Sequence, residues 1–167
     1  EMHSRRLTFE IRKKLMEKYR KSEHRLIFLD YDGTLSPFFN RPEKARPSDK
    51  VINLLKELSK NSKNKVIVVS GRDKNTLKIW FKELIDSLGY VAEHGAWIKE
   101  KGKKWEVIEP LTDEWKKEII PILELYVDRT PGSFIEEKDF SVSWHYRKVV
   151  PELGLLRARE LVDNIIN

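Results

Sequence analysis

Apolar residues follow two rhythms along this chain. Short unbroken runs at Leu26–Leu29, Val66–Val69 and Tyr90–Ala92 fit buried strands. Between them, Val51, Ile52, Leu54, Leu55 and Leu58, then Leu77, Trp80, Phe81, Leu84 and Ile85, recur at helical spacing. Ser48 and Asp73 stand where N-caps belong. The pattern predicts a strand over 25–30, a helix over 49–60, a strand from Lys65 ending in Ser70-Gly71-Arg72, a helix over 74–86 and a strand over 90–95. Strand, loop, helix and strand in that order make one βαβ unit, with parallel strands and a right-handed crossover. Both strands then end on one edge, which places Ser70 and Arg72 near Asp30 and Asp32.

Alternation at Ala96–Lys99 and Lys104–Ile108 predicts a hairpin around Lys101-Gly102-Lys103. Composition shifts at Pro110, a predicted boundary. Beyond it, Trp115, Ile119, Ile122, Leu123 and Tyr126 mark a helix from Thr112 to 128, expected to kink at Pro121. Strands follow at 133–137 and 140–147, joined by Lys138-Asp139, and Pro151 opens a last helix. Before the first strand, Thr8 caps a helix over 8–21 whose apolar stripe is narrow. Pro37, Pro42 and Pro47 keep residues 36–47 extended. The expected division is a basic helical leader or connector (1–24), a core (25–110) and a cap (111–167).

Composition narrows the chemistry. The 167 residues contain no cysteine, which removes disulfides, thiolate metal sites and a cysteine nucleophile and suits a reducing cytoplasm. No apolar run reaches membrane-spanning length. The net charge is +6, but residues 1–25 hold nine Lys and Arg against four Glu. The basic character belongs to the leader, so neither nucleic acid nor membrane is expected as a partner of the body. A leader that itself binds a polyanion is a competing reading.

Asp30-Tyr31-Asp32-Gly33-Thr34-Leu35 closes the first run. Carboxylates at i and i+2 of an extended chain point to one side and repel unless a cation or proton intervenes. That suits a divalent metal, or a nucleophile beside an acid/base. Asp and Gly also end ordinary strands in turns. Ser70 can donate to a phosphate oxygen or simply cap a helix or strand end, and Arg72 can neutralise the phosphate charge or pair locally. His94 before Gly95 also reads as a turn residue, and Glu136-Glu137-Lys138 as a solvated hairpin tip.

Asp30–Leu35 resembles the signature of the haloacid-dehalogenase-like phosphatases. Residues 131–147, with Ser70-Gly71-Arg72 and Ala92-Glu93-His94-Gly95, resemble the trehalose-6-phosphate phosphatases within that superfamily. The resemblance implies an α/β fold with a haloacid-dehalogenase-like parallel-sheet core, three-layered and Rossmann-like, and a partial α+β cap. It implies Asp30 as nucleophile, Asp32 as general acid/base, and Mg2+ held by Asp30 and Asp32. Thr34, Ser70, Gly71, Arg72, Glu93 and His94 would line the core side. Glu137 and Lys138, with Glu136 second to them, would meet trehalose 6-phosphate from above. The family often follows a trehalose-6-phosphate synthase domain, which would make the leader a connector. It also implies a later Lys and a Gly-Asp-Asp-type cluster, and no Gly-Asp occurs in these 167 residues. The chain therefore reads as a fragment, inactive alone, whose first strand is a hydrophobic sheet edge expected to be covered by a partner or rearranged. Another sugar phosphatase of the superfamily, or a non-catalytic sugar-phosphate sensor or assembly module, is the alternative.

Overall fold

Unbroken apolar runs can be buried only side by side, and here they pair in register. The computed structural model describes residues 6–39, 41–108 and 111–166. Strand β1 (Arg25–Asp30) pairs parallel with β2 (Asn64–Val69), and β2 parallel with β3 (Gly89–Ala92). β4 (Trp97–Lys99) and β5 (Trp105–Val107) complete a five-stranded sheet of order β1-β2-β3-β4-β5 with antiparallel pairings. Asp30 lies opposite Val69, and Val69 opposite Val91, so three chains leave the sheet at one edge.

Helices α1 (Phe9–Lys21), α2 (Asp49–Lys60) and α3 (Lys74–Trp80) begin at side-chain caps. Thr8, Ser48 and Asp73 accept from the backbone N–H of Ile11, Val51 and Thr76. Leu55 of α2 and Leu77 of α3 join Val66, Val68, Phe81, Leu84, Leu88, Tyr90 and Ala92 in one core. Along β1, Ile27 and Leu29 pack on that core, whereas Leu26 and Phe28 are each 58% exposed. β1 is also an outer strand of the sheet, the hydrophobic edge that the sequence predicts. Helix α1 buries no residue; Arg25 reaches back to the Tyr19 carbonyl and lies over its ring.

A second unit comprises α4 (Lys116–Asp128), β6 (Phe134–Glu137), β7 (Val142–His145) and α5 (Pro151–Ile166). β6 and β7 form an antiparallel hairpin, and Leu123, Tyr126 and Leu161 make its small core with Ile135, Val142 and Trp144.

Several predicted boundaries move. The helix predicted over 74–86 stops at Trp80, and a short 3-10 turn follows at Lys82–Leu84. Phe81, Leu84 and Leu88 are all essentially buried, and a tighter turn brings them to the core together. The third strand ends at Ala92 instead of Gly95, because Glu93 and His94 take positive φ. The helix expected from Thr112 begins at Lys116, after N–H groups of 116 and 117 bond back to Asp113 and Glu114. It then runs through Pro121. The hairpin turn is longer than Lys138-Asp139, spanning residues 138–141, with Lys138 N–H donating to Ser141. The boundary predicted at Pro110, the leader's first five residues and Asn167 lie outside the described residues.

The two faces of the sheet make a direct test. Leu77→Ala should lower unfolding stability by about 3 kcal/mol, whereas Phe28→Ser should cost less than about 1 kcal/mol. Urea unfolding of the chain measures both.

Candidate functional site

Tyr31 positions the first pair of carboxylates. Its side chain is fully buried, its ring centroid 5.7 Å from Phe81 and 5.6 Å from Trp80, and its hydroxyl donates to the Ala45 carbonyl. Burial pushes the phenol up to about 12; the Asp32 charge adds to this, while the Ser36 hydrogen bond and Arg72 oppose it. With Tyr31 turned inward, Asp30 and Asp32 project outward. Gly33 then turns the chain at φ +86°, with the Phe38 ring packed where a Cβ would stand. N–H groups of Leu35 and Ser36 close onto the Tyr31 carbonyl. Thr34 Oγ1 lies 3.5 Å from Asp30 Oδ2, at the limit of a hydrogen bond.

The second strand brings Ser70, Gly71 and Arg72 alongside. Ser70 is buried, and its Oγ accepts the Arg72 N–H at 3.1 Å. Arg72 grips Asp32 with both ends of its fork, Nη2 to Oδ1 at 2.7 Å and Nε to Oδ2 at 3.1 Å. Nη1 donates to the Pro42 carbonyl, and the guanidinium stacks 4.5 Å above Trp80. Asp73 follows as the cap of α3.

The third strand ends in the turn Glu93-His94-Gly95. The exposed His94 ring fills the space beside Gly71, where a Cβ would collide with imidazole atoms. Glu93 is buried and faces the other way. Its carboxylate accepts the N–H groups of Asp139 and Phe140 in the cap hairpin.

Asp30, Asp32, Ser70, Gly71 and His94 therefore share one hollow of about 420 Å³ at the sheet edge. Asp32, Gly71 and His94 also border an adjoining cleft of about 470 Å³, with Arg72 beside them. Its far wall is the cap hairpin: Glu136, Lys138, Ser143, His145 and Arg147. Lys138 Nζ crosses to the Gly71 carbonyl at 3.0 Å, and Glu136 meets His145 Nε2 at 2.7 Å. Glu137 is on the opposite side of β6, paired with Lys116 at 3.1 Å. Glu136 rather than Glu137 thus faces the cleft with Lys138. Two-residue periodicity carried that signal, since 136 and 138 have the same parity. His145 also lines the cleft, as do Phe38 and Phe39. Glu93 borders neither cavity.

A family model described as trehalose-phosphatase matches residues 28–167. The chain belongs to the trehalose-phosphatase family. It is 44% identical over 144 residues to a trehalose-phosphatase of Schizosaccharomyces pombe, covering 85% of this chain and 18% of that protein. It is 41% identical over 157 residues to alpha,alpha-trehalose-phosphate synthase [UDP-forming] A of Dictyostelium discoideum, covering 91% of this chain and 21% of that one. The solved C-terminal domain of C. albicans trehalose-6-phosphate phosphatase superposes with a TM-score of 0.85 at 36% identity. That match covers 92% of this chain and 53% of the other. The chain spans about a fifth of the length of the curated relatives it matches. The five-stranded sheet, with two parallel and two antiparallel pairings, and its helices share the α/β fold of that C. albicans domain.

In this trehalose-phosphatase family member, the carboxylates in the hollow at the sheet edge belong to Asp30 and Asp32. No group of three or more His, Asp or Glu able to hold a metal occurs among the described residues. Arg72 occupies one lone pair on each Asp32 oxygen, and a carboxylate offers about four such sites. The pair therefore suits part of the shell of a hard divalent cation.

Asp73 ties the Arg72 loop to α3 and titrates accordingly. Burial raises its pKa, but the Thr76 hydroxyl and the backbone N–H groups of Thr76, Asn75 and Asp73 outweigh it, leaving the carboxyl below its ordinary 3.8. A depressed folded value means stability that is complete above the ordinary value and is lost as pH falls through the folded one. Asp73→Ala should cost about 1 kcal/mol at neutral pH. The gap from the unaltered chain should close as pH drops below 3.8, as read by denaturant unfolding across pH.

Proposed function

We propose that this chain is the nucleophile-bearing part of a Mg2+-dependent phosphatase that hydrolyses trehalose 6-phosphate to trehalose and phosphate. The observation carrying this reading is the cleft itself. It adjoins the hollow of Asp30 and Asp32 at the sheet edge and faces a polar hairpin of Glu136, Lys138 and His145, in a chain of the trehalose-phosphatase family.

On this reading Asp30 attacks phosphorus, the bond to the sugar oxygen breaks, and Asp32 gives that oxygen its proton. Asp32 then takes a proton from water, whose oxygen attacks the aspartyl-phosphate and releases phosphate and free Asp30. Arg72 holds Asp32 in place through its two-pronged hydrogen bond. Ser70 and Thr34 offer hydroxyls to phosphoryl oxygens. Glu136, Lys138 and His145 offer directional partners to sugar hydroxyls. Bound Mg2+, held by Asp30 and Asp32, would screen the negative charge of the phosphoryl group.

The division into a connector (1–24), core (25–110) and cap (111–167) belongs to the same reading. So do a longer native protein with the later Lys and acidic cluster, an upstream synthase domain and a cytoplasmic location. Two relatives from Dictyostelium discoideum carry synthase names, which supports the fusion. The cysteine-free sequence needs no oxidising compartment.

The full-length gene product should release phosphate from trehalose 6-phosphate when Mg2+ is supplied and stop when it is chelated. Asp30→Asn should lower kcat by about three orders of magnitude or more while substrate still binds. The 167 residues alone should turn over little. Undiminished activity in Asp30→Asn would sink the proposal.

A further inference from the structure

The turn at the tip of the cap hairpin is held between two buried charges of opposite sign. On its N–H side stands Glu93, 4% exposed, accepting from Asp139 at 3.4 Å and Phe140 at 3.1 Å. On its carbonyl side stands Lys116, 6% exposed, whose Nζ donates to the carbonyls of Lys138 and Asp139, the latter at 3.0 Å, and to Glu137 at 3.1 Å. The anion comes from the sheet unit and the cation from α4 of the cap. Each charge meets the matching end of the peptide dipoles, the arrangement that makes buried ions tolerable. Around this grip, Lys74 pairs with Asp139 at 2.7 Å and lies 3.2 Å above the Trp97 ring, which in turn packs on Phe140.

Glu93 holds its post in the left-handed region, φ +49°, with His94 beside it at +56°. Residues with a Cβ persist there only where the surroundings over-determine them. Both Glu93 oxygens are engaged by the turn, and the residue borders neither cavity. What the turn controls is the next side chain: Lys138 leaves it directly into the cleft, towards Gly71.

We infer that Glu93 and Lys116 are positioning residues that fix the 138–140 backbone between them and so set Lys138 in the substrate cleft. Neither touches substrate; both act through Lys138. The kinetic meaning of Lys138 rests on the phosphatase reading above, whereas the grip itself does not.

The test uses the full-length gene product carrying Glu93→Gln, which keeps shape and one acceptor but loses the charge. Amide hydrogen exchange at Asp139 and Phe140 should quicken by about tenfold or more. KM for trehalose 6-phosphate should rise about tenfold with kcat changed less than about threefold. The fall in kcat/KM should be several times smaller for an aryl phosphate too short to reach Lys138. Lys116→Met should produce the same signature from the cap side, and Lys116→Arg should restore most of it. Because Lys116 lies in the other unit, it decides the matter should Glu93→Gln fail to fold. Unchanged exchange at 139 and 140 in both variants overturns the inference, as does an equal loss on both substrates. If the unaltered protein hydrolyses no trehalose 6-phosphate, the phosphatase reading fails, and the exchange measurements still decide the grip.

Discussion

The site depends on a side chain that never reaches it. Tyr31 is buried against Phe81 and Trp80 with its hydroxyl tied to the Ala45 carbonyl. An extended chain alternates, so a ring driven inward at 31 drives the carboxylates at 30 and 32 outward. The core thus aims the acidic pair without contacting it. The aromatic group does a second job on its outer surface. Arg72 stacks on Trp80 while its fork closes on Asp32, so one cluster orients both halves of the ion pair. Loss of the ring would disorder the acid, its counter-charge and the Ala45 loop together.

Charge is distributed by depth. Asp30 stays exposed, whereas Arg72 and Asp32 are partly covered and satisfy each other. Glu93 and Lys116 are deep and are met by backbone dipoles. Lys99 is likewise buried but reaches Asp86 and the Lys103 carbonyl. Each buried ion is therefore an organiser of backbone as well as a charge, since leaving it unpaired would cost several kcal/mol.

Local patterns made much of this legible. The apolar runs and caps marked every strand of the parallel core and the starts of α2 and α3. Parallel topology then brought residues 30–32 and 70–72 together across forty positions. The misreadings have physical sources. Helical periodicity did not reveal that Phe81, Leu84 and Leu88 bury better through a 3-10 turn. Nor did it show that 93 and 94 leave the strand at positive φ. In the hairpin, parity assigned 136 and 138 to one side, but adjacency of Glu137 to Lys138 obscured it. The Glu93 contacts to Asp139 and Phe140 span separations of 46 and 47 residues and use backbone N–H groups, which no side-chain motif announces.

The imidazole lodged against Gly71 has a consequence for how such chains can diverge. The missing Cβ at 71 and the ring at 94 occupy one volume. Positions 71 and 94 are then coupled through space. A side chain at 71 would displace the exposed ring at 94, so a substitution at one position is felt at the other.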